Sequence, residues 1–234
     1  MFKEIKLAAE LSNKAQRNWD HGITIPKKDI NTLIHTIIHA PTKQNETHYK
    51  VYYTTNPKLI YNIYYYTKQF SVIDNTEFTD DKGRTPDNYN VRNSQVNANL
   101  LFAFCDDWNQ ENSRALPHRL VEEREAHPIV YIEREKQRYI STGVATGELI
   151  LAANLLGYRT GLCTAFDWTE LQKFFEGNKV NLLIGVGKPH PDKDRREHEE
   201  VYNKDIFLQS HKTGPDNEKW KFPTFKKEVS IVKL

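Results

Sequence analysis

The sequence predicts an α+β or mixed α/β sandwich, and three observations carry that prediction. Short runs of aromatic, β-branched and other apolar residues at 49–54 (YKVYYT), 100–105 (LLFAFC) and 180–186 (VNLLIGV) read as strands. Longer segments between them carry apolar residues at helical spacing. Gly, Pro, Asn and Asp gather at the junctions, where turns are needed. Helices and strands that alternate in this way bury their apolar faces in layers. At 234 residues the chain makes one large domain or two small ones, with ample core capacity. No internal repeat is visible.

In chain order, residues 3–16 are the first expected helix, with Ile5, Leu7, Ala8 and Leu11 near helical spacing. Lys14 and Arg17 stand three apart at its end, so both can serve one patch. Pro26 and Asp29 bracket the start of a second helix whose buried face is Ile30, Leu33, Ile34, Ile37 and Ile38. Ala40-Pro41 ends it, and Thr42-Lys43-Gln44-Asn45 is a polar turn before the first strand. A helix over 57–70 follows, unusually rich in tyrosine (Tyr61, Tyr64, Tyr65, Tyr66). Packing in a core or interface and stacking on a ligand both fit those rings. Residues 74–90 are turn formers with little periodicity and read as a surface loop. After the strand at 100–105, residues 107–127 are charged and loosely helical, and PIVYIE (128–133) reads as a strand or part of a lid-like excursion.

The chain is organised around Ser141–Asp167. Val144, Leu149, Ile150, Ala152, Ala153, Leu155 and Leu156 put apolar residues on most sides of a helix, which predicts burial. Gly157 stands where a C-terminal glycine cap is expected. Gly143 and Gly147 share one bare face, suited to a tight core helix or to one pressed against a partner subunit or a flat cofactor. A turn-rich passage leads to Ala165-Phe166-Asp167, where Asp167 or Thr169 caps a further helix ending near Gly177. After the strand at 180–186 the chain turns very polar, and the tail from about 205 holds few core-forming runs.

Charge is nearly balanced, with 33 basic and 31 acidic residues, so no field draws the chain to nucleic acid or an anionic membrane. No apolar stretch approaches the ~18 residues of a membrane span. The amphipathic, partly acidic N-terminal stretch does not read as a secretory signal. Cys105 and Cys163 have no partner at metal or redox spacing, and a reduced, cytoplasmic protein is expected.

Sharp motifs are missing: no G-x-G-x-x-G, Walker A, HExxH, CxxC or GxSxG occurs. His35 and His39 are four apart on a helix face, but no third metal donor is suggested. What remains is a dispersed set suited to an anion and a polar ring. Lys14, Arg17, Arg195 and Arg196 supply cations, and an arginine fork suits a phosphate. The Asn45 amide can read a ring's donor and acceptor edge.

Four segments in order resemble the nitroreductase family of flavin mononucleotide (FMN) enzymes. They are Asn13-Lys14-Ala15-Gln16-Arg17 with Trp19-Asp20; Ala40-Pro41-Thr42-Lys43-Gln44-Asn45; Ala145 through Ala152-Ala153 and Gly157 to Phe166-Asp167; and Val180–Gly187 followed by Arg195. The resemblance implies a three-layer sandwich with a central mixed, mainly antiparallel sheet flanked by helices, in an interlocked homodimer with FMN at the interface. It implies an FMN-binding domain over 1–204 and a C-terminal extension over 205–234 that packs on the domain or the partner subunit. By similarity, Asn13, Lys14, Ala15 and Arg17, with Arg195 or Arg196, would hold the phosphate and ribityl chain. Pro41, Thr42 and Asn45 would reach the same flavin from the other subunit. Asn93, with Gln95, would meet the pyrimidine edge, and Leu162, Cys163, Thr164 and Ala165 would pass along the isoalloxazine. A backbone N–H of Thr164 or Ala165 would donate towards N5.

The implied activity is transfer of hydride from NAD(P)H through FMN to an electron-poor acceptor such as a nitroaromatic or quinone, in ping-pong fashion and with no side-chain acid or base. The 74–90 and 107–138 segments would shape the acceptor site. The sequence departs from the family at Asn13 and Ala15, where many members have Arg and Ser, and at Thr164-Ala165, where some have Glu-Gly. Two further readings stay open. One is a superfamily relative with narrower flavin chemistry, reductive dehalogenation or flavin fragmentation. The other is a non-enzymatic dimeric binding protein.

Overall fold

The computed structural model describes residues 2–42, 45, 47, 49–67, 70–71, 90–107 and 128–195. The chain divides into two compact units, Met1–Lys68 with Arg92–Glu197, and Gln69–Val91 with His198–Leu234. In the second unit the described element is a short antiparallel pair, in which Phe70 faces Val91 and Ser71 faces Asn90. The 74–89 part of the expected loop, residues 108–127, Arg196 and the 205–234 extension lie outside the described residues.

The first unit holds α1 (Phe2–Ser12), α2 (Lys27–Ile38), β1 (Tyr49–Thr54) and α3 (Pro57–Tyr65), and the second unit's pair is β2 (Phe70–Ser71) and β3 (Asn90–Val91). A 3-10 turn (Ser94–Val96) then leads into β4 (Leu100–Asp106). There follow α4 (Pro128–Leu155), β5 (Arg159–Cys163), α5 (Trp168–Leu171) and β6 (Val180–Gly187). The sheet order is β1-β4-β6-β5, and each described ladder is antiparallel. β5 is the edge strand on one side.

Side-chain alternation along β4 separates two cores. Leu100, Phe102 and Phe104, with Ile184 and Val186 of β6, pack under Ile30, Leu33 and Ile37 of α2 and Ala145, Leu149 and Ala153 of α4. Leu101, Ala103 and Cys105, with Val180 and Leu183, pack on Ile60, Ile63 and Tyr64 of α3, Val96, Leu171 and Phe175. The apolar run LLFAFC is therefore a strand buried on both faces, and the architecture is helices, sheet, helices, as expected.

Four boundaries differ from the sequence expectation. The first helix stops at Ser12, whose hydroxyl donates to the Ala8 carbonyl at 2.7 Å, so Asn13–Arg17 lie beyond it. The tyrosine helix stops at Tyr65, because Tyr66 and Thr67 close it with bonds to the Ile63 and Tyr64 carbonyls. PIVYIE is neither strand nor excursion but the first turns of the 28-residue α4, with Pro128 at a position where its missing N–H costs nothing. A short apolar run has no period of its own to distinguish the two states. The turn-rich passage after Gly157 contains β5, a strand the sequence did not announce.

Gly157 caps α4 with φ +78°, and the Tyr158 N–H returns to the Ala153 carbonyl at 2.9 Å. The helix is not buried on most sides. Ser141, Ala145, Leu149 and Ala153 are buried, while Ile140 is 63% exposed. Cβ atoms added at Gly143 and Gly147 would meet nothing within 4 Å.

α4 also carries Arg138, 1% exposed, paired with Asp106 at the end of β4 and with Glu135 at 2.9 Å. The Asn181 amide donates to the same Asp106 carboxylate. A charge this deep is tolerated only when paired, and the cluster ties α4 to β4 and β6.

Candidate functional site

The site is built along the free edge of β5. Beyond α1 the chain runs extended beside this strand, and the Gln16 N–H donates to the Thr160 carbonyl at 2.9 Å. The Arg17 N–H then donates to the Arg195 carbonyl at 3.1 Å. In return the Arg195 guanidinium donates to the Ala15 carbonyl at 3.2 Å, and the Asn18 amide reaches the Asp194 carbonyl at 2.6 Å. The first motif and Arg195, 178 positions beyond Arg17 in the sequence by the difference of their numbers, thus meet at the β5 edge. Lys14 and Asn13 are exposed, and Ala15, Arg17 and Arg195 are half-buried.

Further along the edge, the Leu162 N–H donates to Gln95 Oε1 at 2.9 Å. Gln95 comes close because β5 and β6 are bare beneath its turn. Gly161 and Gly185 face each other in register, and a Cβ at either would sit 2.6 Å or 2.2 Å from Gln95 atoms. Edge groups of an antiparallel strand point outward at every second residue. Here Thr160 is taken by Gln16 and Leu162 by Gln95. Thr164, next in the series, is exposed, and among the described residues its N–H has no hydrogen-bond partner. Ala165 beside it is exposed too.

Asn93 lies 6% exposed behind this edge. Its Oδ1 accepts the Gln95 N–H at 3.1 Å, and its own N–H donates to Thr67 Oγ1 at 2.9 Å. Asn93 is thus a brace inside the protein, whereas Gln95 touches the edge directly. The Cys163 thiol donates to the Ala165 carbonyl at 3.2 Å. Burial pushes this thiol up to about 11 against the partial relief of its hydrogen bonds, so it is a neutral packing group near pH 7. Burial, with Asp106 nearby, pushes Cys105 up to about 12.

Pro41 and Asn45 are exposed and Thr42 is half-buried, in the segment between α2 and β1. Asn45 has φ +58°, a conformation that Asn tolerates better than most residues. Among the described residues no hydrogen bond joins these three to Lys14, Arg17 or Thr164. The His35 and His39 rings meet at a tilt with centroids 4.1 Å apart, and no group of three potential metal ligands occurs among the described residues. No described helix is long and apolar enough to cross a membrane.

The residues present fit the phosphate and ring of FMN by their chemistry. Cations stand at the Thr160 end of the edge and an unpaired N–H at the Thr164 end, about 13 Å apart at the usual rise per strand residue. That is the scale of a ribityl phosphate joined to a ring.

Solved structures share this fold. A nitroreductase-like protein from Streptococcus mutans is 15% identical, with a TM-score of 0.57 over 86% of this chain and 96% of its own. A nitroreductase family protein from Clostridium novyi NT is 17% identical, with a TM-score of 0.52 over 84% and 90%. CLA-ER, an enone reductase of gut-bacterial fatty acid saturation metabolism, is 15% identical, with a TM-score of 0.52 over 83% and 94%. No protein-family model and no curated protein matches the sequence. The chain has the nitroreductase-like fold.

Proposed function

We propose that this protein is an FMN-dependent oxidoreductase that carries hydride from NAD(P)H to an electron-poor acceptor by a ping-pong route. The observation that supports it most is the β5 edge, where Thr164, just past the strand end, is exposed with no partner for its N–H among the described residues, and cations are held beside Thr160. FMN, when bound, supplies hydride uptake and release at its ring, and the protein supplies position and electrostatics. Arg17, Arg195 and Lys14 hold the phosphate, Arg by its paired donors. Gln95 fixes the strand that carries Thr164. Thr164 or Ala165 donates a backbone hydrogen bond where negative charge gathers on the ring, as a preorganised dipole does. Both Cys163 and Asn93 stay out of the chemistry and fix the backbone of that turn.

A homodimer is part of the reading. The adjoining helices α1 and α4 leave Phe2 79%, Leu7 55%, Tyr139 52% and Ile140 63% exposed. Large exposed apolar side chains on two packed helices favour a second copy, and the bare Gly143–Gly147 face lets a backbone come close. The acceptor is a nitroarene or quinone; since one protein of this fold is an enone reductase, an activated alkene belongs in the same assay.

One spectrum tests the reading. Protein incubated with FMN and desalted is expected to be yellow and to bleach under NADH or NADPH. Protein that stays colourless refutes it.

A further inference from the structure

The exposed face of α2 carries two histidines four residues apart, His35 and His39. Residues at this spacing stand one above the other on a helix. The backbone joins them as well, since the His39 N–H donates to the His35 carbonyl at 3.1 Å and closes the last turn of the helix. Their rings lie with centroids 4.1 Å apart and planes tilted by 45°. Both residues are exposed, and among the described residues neither imidazole has a hydrogen-bond or ion-pair partner. They belong to α2, not to the exposed apolar set of α1 and α4.

At this spacing two imidazole nitrogens can share one metal ion. With metal–nitrogen bonds of about 2.0–2.1 Å meeting at a right angle, the ring centroids of a chelating pair lie about 4.5 Å apart. The observed 4.1 Å is close to that separation. The pair also stands at the C-terminal end of α2, where the helix dipole is negative and favours a cation. Lys28, on the same face, precedes His35 by seven residues. That puts it about 10 Å away along the axis, beyond the ~8 Å over which charges act at physiological salt. A shallow groove of about 630 Å³ runs from His35 over Thr32 and Asn31 and leaves room for water ligands. Two protein donors are too few for a closed zinc site, but they suit a tetragonal copper(II) ion completed by water.

We propose that His35 and His39 form a chelating site for a divalent transition metal, copper(II) before all others. The two imidazoles supply neighbouring equatorial positions, water supplies the rest, and no electron is transferred. Nickel follows copper and cobalt follows nickel, with zinc below copper, the usual order for nitrogen donors. The ion bridges the last turn of α2 and so staples the helix end that precedes Pro41. The site does not depend on the flavin reading.

Calorimetric titration of the purified, untagged full-length protein with copper(II) chloride in a non-coordinating buffer tests this, with nickel and zinc chlorides run alongside. The tightest copper site is expected to hold one ion per chain, to bind nickel and zinc more weakly, and to show two nitrogen donors by electron paramagnetic resonance. His35→Ala and His39→Ala should each weaken copper about a hundredfold, as loss of one arm of a two-point attachment does. Both remove exposed side chains, so the circular dichroism spectrum should not change. Asn31 is exposed and four residues before His35, so Asn31→His added to His39→Ala should restore the affinity. His21→Ala, at an exposed histidine outside the pair, should leave it unchanged. Copper affinity that survives either single variant, zinc bound as tightly as copper, or failure of Asn31→His to restore binding in a folded protein overturns the proposal. The titration contains no FMN, so failure of the flavin reading leaves its outcome standing.

Discussion

Gln95 holds Leu162 across 67 positions of sequence, its Oε1 accepting the Leu162 N–H at 2.9 Å. The bond fixes the edge strand two residues before Thr164, and Gly161 and Gly185 let the Gln95 turn lie close enough to make it. Gln95→Leu removes the acceptor and leaves a partly buried N–H unpaired, at a cost of about 1–3 kcal/mol. Thermal melting should fall by about 2–4 °C for each kcal/mol in a chain of this size. Gln95→Glu keeps the acceptor and should melt close to the parent. Equal melting of the Leu and Glu variants would show that the bond does not clamp the strand.

The Arg138 pair gives a second test. Arg138→Met leaves the Asp106 carboxylate, 8% exposed, with Asn181 alone. Removing one member of a buried pair costs about 3–5 kcal/mol. Asp106→Asn with Arg138→Met removes both charges, so the double variant should be less destabilised than the two single costs added. Urea denaturation of the four proteins completes the cycle. Strict additivity would mean that the two charges do not interact.

The sheet was largely legible because β1, β4 and β6 are apolar, aromatic or β-branched runs with turn residues on either side. β5 was not, since RTGLC reads as turn: its glycine is there for the approach of Gln95, a demand made by a turn 66 positions away by the difference of the numbers. The start of α4 misled for a different reason, as a short apolar run suits either state. Arg138 stood in the charged 107–138 segment, read as shaping the acceptor site, and only Asp106 at the far end of β4 makes its burial intelligible. The meeting of Arg17 with Arg195 rests on tertiary structure, so spacing gave no sign of it, and the resemblance did. The place of Asn93, behind the edge rather than on it, follows from its bonds to Gln95 and Thr67, which no pattern of residue types encodes.

Stability at high pH should report on Tyr158. Its hydroxyl donates to Asp29 Oδ2 at 2.6 Å, in the first turn of α2. Burial first, and then the Asp29 carboxylate, push it from the ordinary 10.0 up to about 12. The folded protein therefore holds this proton more tightly than the unfolded chain. A raised value of this kind gives stability that is complete below the unfolded value and is lost as pH rises through the folded one. Tyr158→Phe should be less stable than the parent at pH 8, and the gap should narrow between pH 10 and about 12. Urea denaturation across that range measures it. A gap that stays constant would mean that the proton is not held by this contact.

The cations at the β5 edge make a prediction that separates phosphate binding from ring binding. Arg17 and Arg195 are tied to one another's segments through the backbone, and each is half-buried. Loss of one guanidinium from a phosphate site forfeits charge-assisted, paired hydrogen bonds. Arg17→Ala and Arg195→Ala should each weaken FMN by about tenfold or more, since bonds to a charged group are worth about 1.5–3 kcal/mol. Riboflavin has the same ring and ribityl chain but no phosphate, so its affinity should hardly change in either variant. Fluorescence titration with both flavins measures the difference. Parallel losses for FMN and riboflavin would place the fault in the fold of the edge, because the Arg195 guanidinium also supports the Ala15 carbonyl. Unchanged FMN affinity in both variants would remove these arginines from the phosphate site altogether.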